Sequence, residues 1–191
     1  MKIVIPAERP KYEMSLPDGA TLTLSPVLKT DREFFERGID ELSLESRFAR
    51  FGQGVSSLTQ RELDYLSDVD QRHHVAWGAA IGDDVAGVGR YIVPTEDACA
   101  ELAITVLDAM QHRGVGSCLL RALVAVARAD GIHELCFETQ AANEAVLRLI
   151  REVEPVPLVT DGLIRSRIRI GEIPTGADEP GLVEVIDEVR G

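Results

Sequence analysis

A glycine-rich turn between an apolar run and an amphipathic run has the residue types needed to bind an anion. The turn reads Gln-His-Arg-Gly-Val-Gly-Ser over residues 111–117. Gly114 and Gly116 allow the backbone to turn tightly and bring its N–H groups close to a bound anion. A helix predicted over 117–130 adds N–H donors and the positive end of its dipole. A pyrophosphate fits this description.

Two common nucleotide-binding motifs are excluded by the same residues. A Walker loop would continue into Gly-Lys-Ser or Gly-Lys-Thr, and neither follows here. A dinucleotide fingerprint would carry a third glycine at position 119, where this sequence has leucine. The turn therefore indicates a phosphate-containing ligand of another kind.

The turn resembles the Gln/Arg-x-x-Gly-x-Gly/Ala signature of the GNAT superfamily of acyl-CoA N-acyltransferases, with Gln111, Gly114 and Gly116 in place. The resemblance extends over about 75–170, where strands and helices follow the superfamily's order. Within the superfamily, the run Ala-Glu-Leu-Ala-Ile-Thr-Val over 100–106 is most similar to the catalytic domains of bacterial protein lysine acetyltransferases. The resemblance implies an acetyltransferase that uses acetyl-CoA as co-substrate and a primary amine as acceptor, with a protein lysine favoured.

The resemblance also implies where acetyl-CoA lies. The strand over 102–107 would offer backbone groups to the pantetheine arm, and the loop over 112–117 would hold the pyrophosphate. Asn143 matches a residue that lines the cofactor cleft, although it is equally suited to cap the next helix. The implied cofactor-binding residues are Leu102, Ile104, Val106, Gln111, His112, Arg113, Gly114, Val115, Gly116, Ser117 and Asn143.

The resemblance gives Glu101 the role of general base. A lysine amine has a pKa of about 10.4, so it must lose a proton before it attacks a thioester at pH 7. Glu101 begins an otherwise apolar run, and we expect partial desolvation to make it a stronger base. The alternative is that it faces solvent on an alternating strand. Many superfamily members add a tyrosine acid, but its position here holds Ile150, so the identity of an acid stays open.

Two other classes of function remain as alternatives. The first is a non-catalytic acyl-CoA-binding regulatory module, which Ile150 at the tyrosine position would allow. The second is a structural module that binds no cofactor. Among acceptors, aminoglycosides and polyamines remain alongside a protein lysine.

The apolar pattern predicts a single α/β domain of GNAT type around these residues. One strand, two helices, three strands, a helix, a strand, a helix and a last strand follow in order. This order predicts a mixed, mostly antiparallel sheet with helices on both faces. Runs within 75–93 form a hairpin, and the strand over 98–107 leads into the loop. The strand over 135–139 is expected to lie parallel to it.

The chain is predicted to divide into three segments. The acyltransferase domain spans 21–170, after an N-terminal extension over 1–20. Residues 171–191 are predicted to form an acidic C-terminal tail with a short helix near 182–189, because six carboxylates accompany a single arginine there. A homodimer formed through a sheet edge or this tail stays open.

Charge and hydropathy restrict the partners. The chain has 191 residues and a formal net charge of −12. This charge argues against nucleic acid, whose phosphates bind cations, and it favours a cationic acceptor. We expect no membrane association, because no stretch approaches the roughly 20 apolar residues of a membrane helix. With no recognisable signal peptide, a cytoplasmic location is expected.

Cysteines and histidines predict no metal site. Cys99, Cys118 and Cys136 lack Cys-x-x-Cys spacing and are expected to be three reduced core thiols rather than a zinc site or a disulfide framework. His73 and His74 are adjacent, so on a strand their side chains point to opposite faces.

Overall fold

The computed structural model describes residues 2, 5–51, 55–94, 99–140, 143–150 and 158–191. Strands and α-helices alternate along these residues in the order expected for an α/β domain. They are β1 (Tyr12–Ser15), β2 (Thr21–Pro26), α1 (Arg32–Gly38), α2 (Leu44–Phe51), α3 (Gln60–Ser67), β3 (His74–Ile81), β4 (Asp84–Ile92), β5 (Cys99–Val106), α4 (Val115–Ala129), β6 (Glu134–Gln140), α5 (Glu144–Ile150), β7 (Leu158–Thr160), β8 (Leu163–Arg169) and α6 (Glu179–Arg190).

The strands form one mixed sheet in the order β1-β2-β3-β4-β5-β6-β8-β7. The β5–β6 pair is parallel, and the other neighbouring pairs are antiparallel. Helices α4 and α6 pack on one face, while α1 and α3 cover the other. The predicted fold class, including helices on both faces, is therefore confirmed.

The helix that follows the glycine-rich turn anchors the core. Leu119 and Leu123 of α4 are fully buried against the sheet. Gly89 on β4 allows this close approach, because a Cβ there would lie 3.0 Å from the Leu123 side chain and 3.3 Å from Leu119. The buried face of this helix thus packs the helix directly against β4.

Residues 171–191 belong to the fold rather than to an acidic tail. The short helix predicted near 182–189 is present as the longer helix α6, which packs on α4. Its inner face repeats apolar residues at the spacing of one helical stripe. The buried residues are Leu182, Val185 and Ile186. At its end, Arg190 forms a bidentate pair with Asp130 beside the end of α4, with N–O distances of 2.8 and 2.6 Å.

Part of the predicted N-terminal extension also joins the fold. Strand β1 pairs with β2, and Met14 and Leu16 are buried in the same core as α4. Upstream, Arg9 forms a buried ion pair with Asp31 and donates to the carbonyl of Pro26 at 2.6 Å. Both flanking segments therefore contribute to one core.

The prediction of three reduced thiols is wrong for two of them. Cys99 and Cys136 form a disulfide, with their Cα atoms 5.8 Å apart. They lie on the paired parts of β5 and β6, which are 37 residues apart in sequence, so no local spacing signals the contact. Cys118 is a buried free thiol, as predicted, and burial raises its pKa.

Candidate active site

Strands β5 and β6 separate soon after they begin. Within the described residues they pair at three positions, from Cys99 opposite Glu134 to Glu101 opposite Cys136. Beyond Glu101, β5 continues to Val106 beside β4, while β6 continues beside β8. A gap therefore opens between the two strands directly after Glu101.

The far end of β5 turns backbone groups toward this gap. The N–H of Leu107 donates to the carbonyl of Ala86 on the β4 side, at 2.9 Å. Because backbone groups alternate along a strand, those of Leu102, Ile104 and Val106 face away from β4 and toward the gap. The carbonyl of Val106 accepts a bond from Gln111 Nε2 at 3.3 Å on that edge. The side chains of Leu102, Ile104 and Val106 pack against the core, so these residues offer backbone rather than side-chain contacts.

The glycine-rich turn forms a cradle of N–H groups at the start of α4. Gly114 has φ of +94° and precedes the first helical residue, and His112 also has positive φ. The first bond into the helix is donated by Cys118 to the carbonyl of Gly114 (3.1 Å), so the N–H groups of residues 115–117 precede it. Among the described residues, no side chain caps this terminus.

This cradle fits a pyrophosphate. The first turn of α4 contains no acidic residue that would repel an anion. A Cβ on Gly116 would approach Val106 Cγ2 only to 3.8 Å, so the turn is open rather than packed. Val115 itself is buried, and its contribution is therefore its backbone N–H. Ser117 is exposed and can approach a ligand with its hydroxyl as well.

The charged side chains of the loop have contacts within the protein, and their contact with a phosphate stays a prediction. Arg113 pairs with Asp18 at 2.8 Å, which neutralises much of its charge for a phosphate. His112 is exposed, and its Nδ1 lies 3.5 Å from Arg148 Nη2 on α5. Arg148 is a cation beside the loop that the sequence analysis missed. Its signal was its place on the predicted helix after Asn143.

Asn143 caps the helix that carries Arg148. Its Oδ1 accepts from the N–H of Val146 at 3.2 Å, and its Nδ2 donates to Thr139 Oγ1 at 3.1 Å. The capping role that the sequence left open is therefore present. Contact with a cofactor stays a prediction.

A carboxylate that the sequence analysis did not select connects the loop to α2. Asp108 accepts from the N–H of Ser43 (2.9 Å) and from the hydroxyls of Ser43 (2.8 Å) and Ser46 (2.9 Å). Burial raises the pKa of Asp108, but these hydrogen bonds outweigh it, so the pKa lies below its ordinary value. The turn that leads into the phosphate loop is thus fixed to a helix on the other face of the sheet.

Glu101 lies where the gap between β5 and β6 opens. By alternation it shares a sheet face with Ala103 and Thr105, which line a cavity beneath α1. The carboxylate is exposed rather than desolvated, so the expectation of a partly buried base is not met. A carboxylate in this place can accept a proton from an amine that approaches from the α1 face.

The cavity has a volume of about 120 Å³ and lies between the sheet and the helices α1–α3. Its lining is mostly apolar, with small residues on the strands and aromatic ones on α1. The lining includes Ser25, Phe34, Phe35, Gly78, Val88, Ala103, Thr105 and Leu107.

Comparison with known proteins defines the class that this fold and site represent. Residues 37–153 match the Acetyltransferase (GNAT) family. The chain is 32% identical to the acetyltransferase PA5475 of Pseudomonas aeruginosa over 136 residues, which cover 69% of this chain and 73% of that protein. The chain therefore belongs to the GNAT family of acetyltransferases. It is an acyl-CoA-dependent N-acetyltransferase, and acetyl-CoA is the co-substrate of this family.

Two further relatives extend the match. The chain is 32% identical over 177 residues to the acetyltransferase Pat of Mycolicibacterium smegmatis; the match covers 90% of this chain and 52% of Pat, so the chain spans about half of that relative. The solved GNAT domain of S. lividans PAT superposes with a TM-score of 0.77 at 27% identity, covering 87% of this chain and 99% of that domain. These similarities agree with the predicted resemblance to lysine acetyltransferase domains.

The described part of the chain contains neither a candidate membrane span nor a candidate metal site. No helix there has the length and apolar content to cross a membrane. No group of three or more His, Cys, Asp or Glu side chains there is placed to hold a metal ion.

Proposed function

We propose that this protein transfers the acetyl group of acetyl-CoA to the side-chain amine of a protein lysine, with Glu101 as general base. The observation that carries the proposal is the position of Glu101 at the point where β5 leaves β6. The cradle of N–H groups at 114–117 and the edge of β5 lie on one side of it. The face covered by α1–α3 lies on the other.

The choice of a lysine is supported by similarity and by charge. The chain is similar to Pat of M. smegmatis over 90% of its length and to the GNAT domain of S. lividans PAT. Its net charge of −12 attracts a cationic acceptor over a distance. Both arguments favour lysine over a neutral acceptor, and a protein lysine remains a proposal.

The residues of the chain have separate roles in this mechanism. Acetyl-CoA supplies the acetyl group as a thioester. The N–H groups at 114–117 hold the pyrophosphate, and the edge of β5 from Leu102 to Val106 holds the pantetheine arm. A backbone N–H near Val106 polarises the thioester carbonyl. Glu101 accepts the proton of the amine through a chain of water molecules, because it lies five residues before Val106 on β5 and only the neutral amine can attack.

With isoleucine at position 150, this chain lacks the tyrosine acid of many relatives at that place. We therefore propose that solvent protonates the departing thiolate. Since Glu101 is itself exposed, water can reach both ends of the reaction.

Replacing the proposed base tests the mechanism. Glu101→Gln keeps the shape of the side chain and removes its basicity, so kcat at pH 7 should fall about 100-fold or more. Glu13→Gln on the exposed face of β1 is the matched control and should retain wild-type kcat. The measurement is thiol release from acetyl-CoA with a lysine-containing protein as acceptor, together with the affinity for acetyl-CoA by calorimetry.

The affinity separates catalysis from folding. Both variants should bind acetyl-CoA within about threefold of wild type, since Glu101 is not assigned a cofactor contact. Equal kcat values for the two variants would contradict the role of Glu101. Binding of acetyl-CoA by wild type without turnover of any amine would favour the regulatory module.

A further inference from the structure

The cavity beneath α1 is not used by acetyl transfer as described above. Its volume is about 120 Å³, it is partly open to solvent, and its lining is mostly apolar. Apolar pockets of this kind commonly bind small ligands. A cavity of this size next to a substrate site is therefore a candidate for ligand binding.

The register of the sheet defines the floor of the cavity. Thr105 on β5 is opposite Val88 on β4, Val88 is opposite Gly78 on β3, and Gly78 is opposite Ser25 on β2. With strands about 4.8 Å apart, this row extends for roughly 14 Å across the sheet. Gly78 keeps the middle of the row low. A Cβ added there would meet, within 4 Å, the carbonyl of Ser25 at 3.7 Å.

One end of this row reaches the cofactor strand. The cavity is lined on this side by Ala103 and Thr105 of β5 and by Leu107 directly after it. The edge of β5 that faces the gap is proposed to hold the pantetheine arm. Phe34 and Phe35 of α1 cover the row from above. A group attached to the end of that arm and directed to the α1 face would therefore meet the cavity at Thr105.

The charges in the lining already have partners. Arg9 is paired with Asp31, and both side chains are 9% exposed. Arg90 donates to the carbonyl of Leu66 at 3.2 Å and contacts His74. An ammonium group in this space would lose its hydration without a free carboxylate among the described lining residues. An alkyl chain would gain from the same surroundings.

We propose that this cavity binds the acyl chain of acyl-CoA donors longer than acetyl. An apolar cavity of 150 Å³ holds a benzene ring, so about 120 Å³ has room for four or five carbon atoms beyond the carbonyl. The inference rests on the proposed course of the pantetheine arm along β5. The reaction is unchanged. The acyl carbon forms a bond to the amine nitrogen, its bond to sulfur breaks, the amine proton goes to the base, and coenzyme A leaves as the thiol.

Binding of a series of donors to the wild-type protein tests this inference without any substitution. Each methylene buried should raise affinity about fourfold. We expect butanoyl-CoA to bind about fifteenfold more tightly than acetyl-CoA by calorimetry, with no further gain once the cavity is full near hexanoyl-CoA. A gain of less than threefold from acetyl- to butanoyl-CoA would overturn the proposal.

A filled cavity provides the second measurement. Gly78→Val places three carbon atoms in the middle of the row, so the ratio of hexanoyl-CoA to acetyl-CoA affinity should fall at least tenfold. Gly171→Val is the matched control, because a Cβ there meets nothing within 4 Å and the residue lies outside the cavity. Its ratio should equal that of wild type. If the ratio of hexanoyl-CoA to acetyl-CoA affinity is equal in both variants, the acyl chains bind outside the cavity and the proposal is overturned.

The outcomes distinguish this inference from the proposed function. A preference for longer acyl chains without acetylation of any protein lysine would support the acyl-chain role of the cavity and contradict a protein lysine as acceptor. Lysine acetylation that depends on Glu101, with equal affinity for all acyl-CoA donors, would support a protein lysine as acceptor and contradict the acyl-chain role of the cavity.

Discussion

The two sides of the sheet around Glu101 are built in different ways. The cofactor side consists of β5 beyond Glu101, the turn over 107–114 and α4, which are consecutive in sequence. The acceptor side consists of α1–α3 and the cavity beneath them. Its helices lie 32 to 67 residues before β5 in the chain. The structure of the cofactor side therefore depends on residues close together in sequence, whereas that of the acceptor side depends on packing between distant segments.

This difference has a consequence for specificity. The groups offered on the cofactor side are backbone N–H groups, whose placement depends on glycine conformations rather than on side chains. The acceptor side presents side chains, so substitutions there can change which acyl group and which amine are used. Asp108 joins the two sides through its bonds to Ser43 and Ser46.

The largest effect is expected from Gly114→Ala on the cofactor side. A side chain at φ of +94° is strained, and its Cβ would lie 3.0 Å from Pro17 Cδ. The turn must shift and move its N–H groups, so affinity for acetyl-CoA should fall about tenfold to a hundredfold by calorimetry. Gly131→Ala, also at positive φ but at the far end of α4 with open space, is the control. Equal losses in both variants would contradict a specific role of the turn.

A smaller effect is expected where the two sides meet. Asp108→Ala removes three hydrogen bonds between the turn and α2, so the acceptor KM should rise about tenfold while acetyl-CoA affinity stays within threefold. Steady-state kinetics with both substrates varied gives the two values. The exposed carboxylate Asp83 in the β3–β4 turn provides the control, Asp83→Ala. If acetyl-CoA affinity falls instead of acceptor affinity, Asp108 belongs to the cofactor side.

The smallest effect concerns the stability of the acceptor side. Burial, with Arg90 beside it, lowers the pKa of His74 from 6.5 to about 4. Between these values the unfolded chain binds more protons than the folded one, so the free energy of unfolding should fall as pH falls from about 6.5 to about 4. His74→Gln removes the titration and should flatten this dependence in denaturant titrations. An unchanged slope in the variant would assign the acid sensitivity to other groups.

Candidate residues on the cofactor side could be predicted from the sequence because they lie within a few positions of one another in the chain. The spacing of Gln111, Gly114 and Gly116 after an apolar strand indicated both the turn and the helix. The start of the gap at Glu101 could not be predicted in the same way. It depends on where β6 stops pairing with β5 while it stays paired with β8 along its whole length, and the partners Glu134 and Arg169 are 35 residues apart.

Errors in the prediction share one physical cause, which is contact between distant segments. The disulfide between Cys99 and Cys136 follows from strand pairing, and the bonds from Ser43 to Asp108 cross the sheet. For helix α6 the sequence predicts only a short helix within an acidic tail, because its packing on α4 is a contact between distant segments. The cavity depends on small residues of four strands that come together only in the sheet.

Hydrogen–deuterium exchange of the wild-type protein with and without acetyl-CoA shows whether the edge of β5 and the start of α4 bind the co-substrate. We expect added acetyl-CoA to slow exchange of backbone amides in 102–106 and 114–117, because those groups contact the ligand. Amides of α6, on the far side of α4, should change little. Protection confined to α6 or to β1 and β2, with none in 102–117, would mean that acetyl-CoA binds elsewhere.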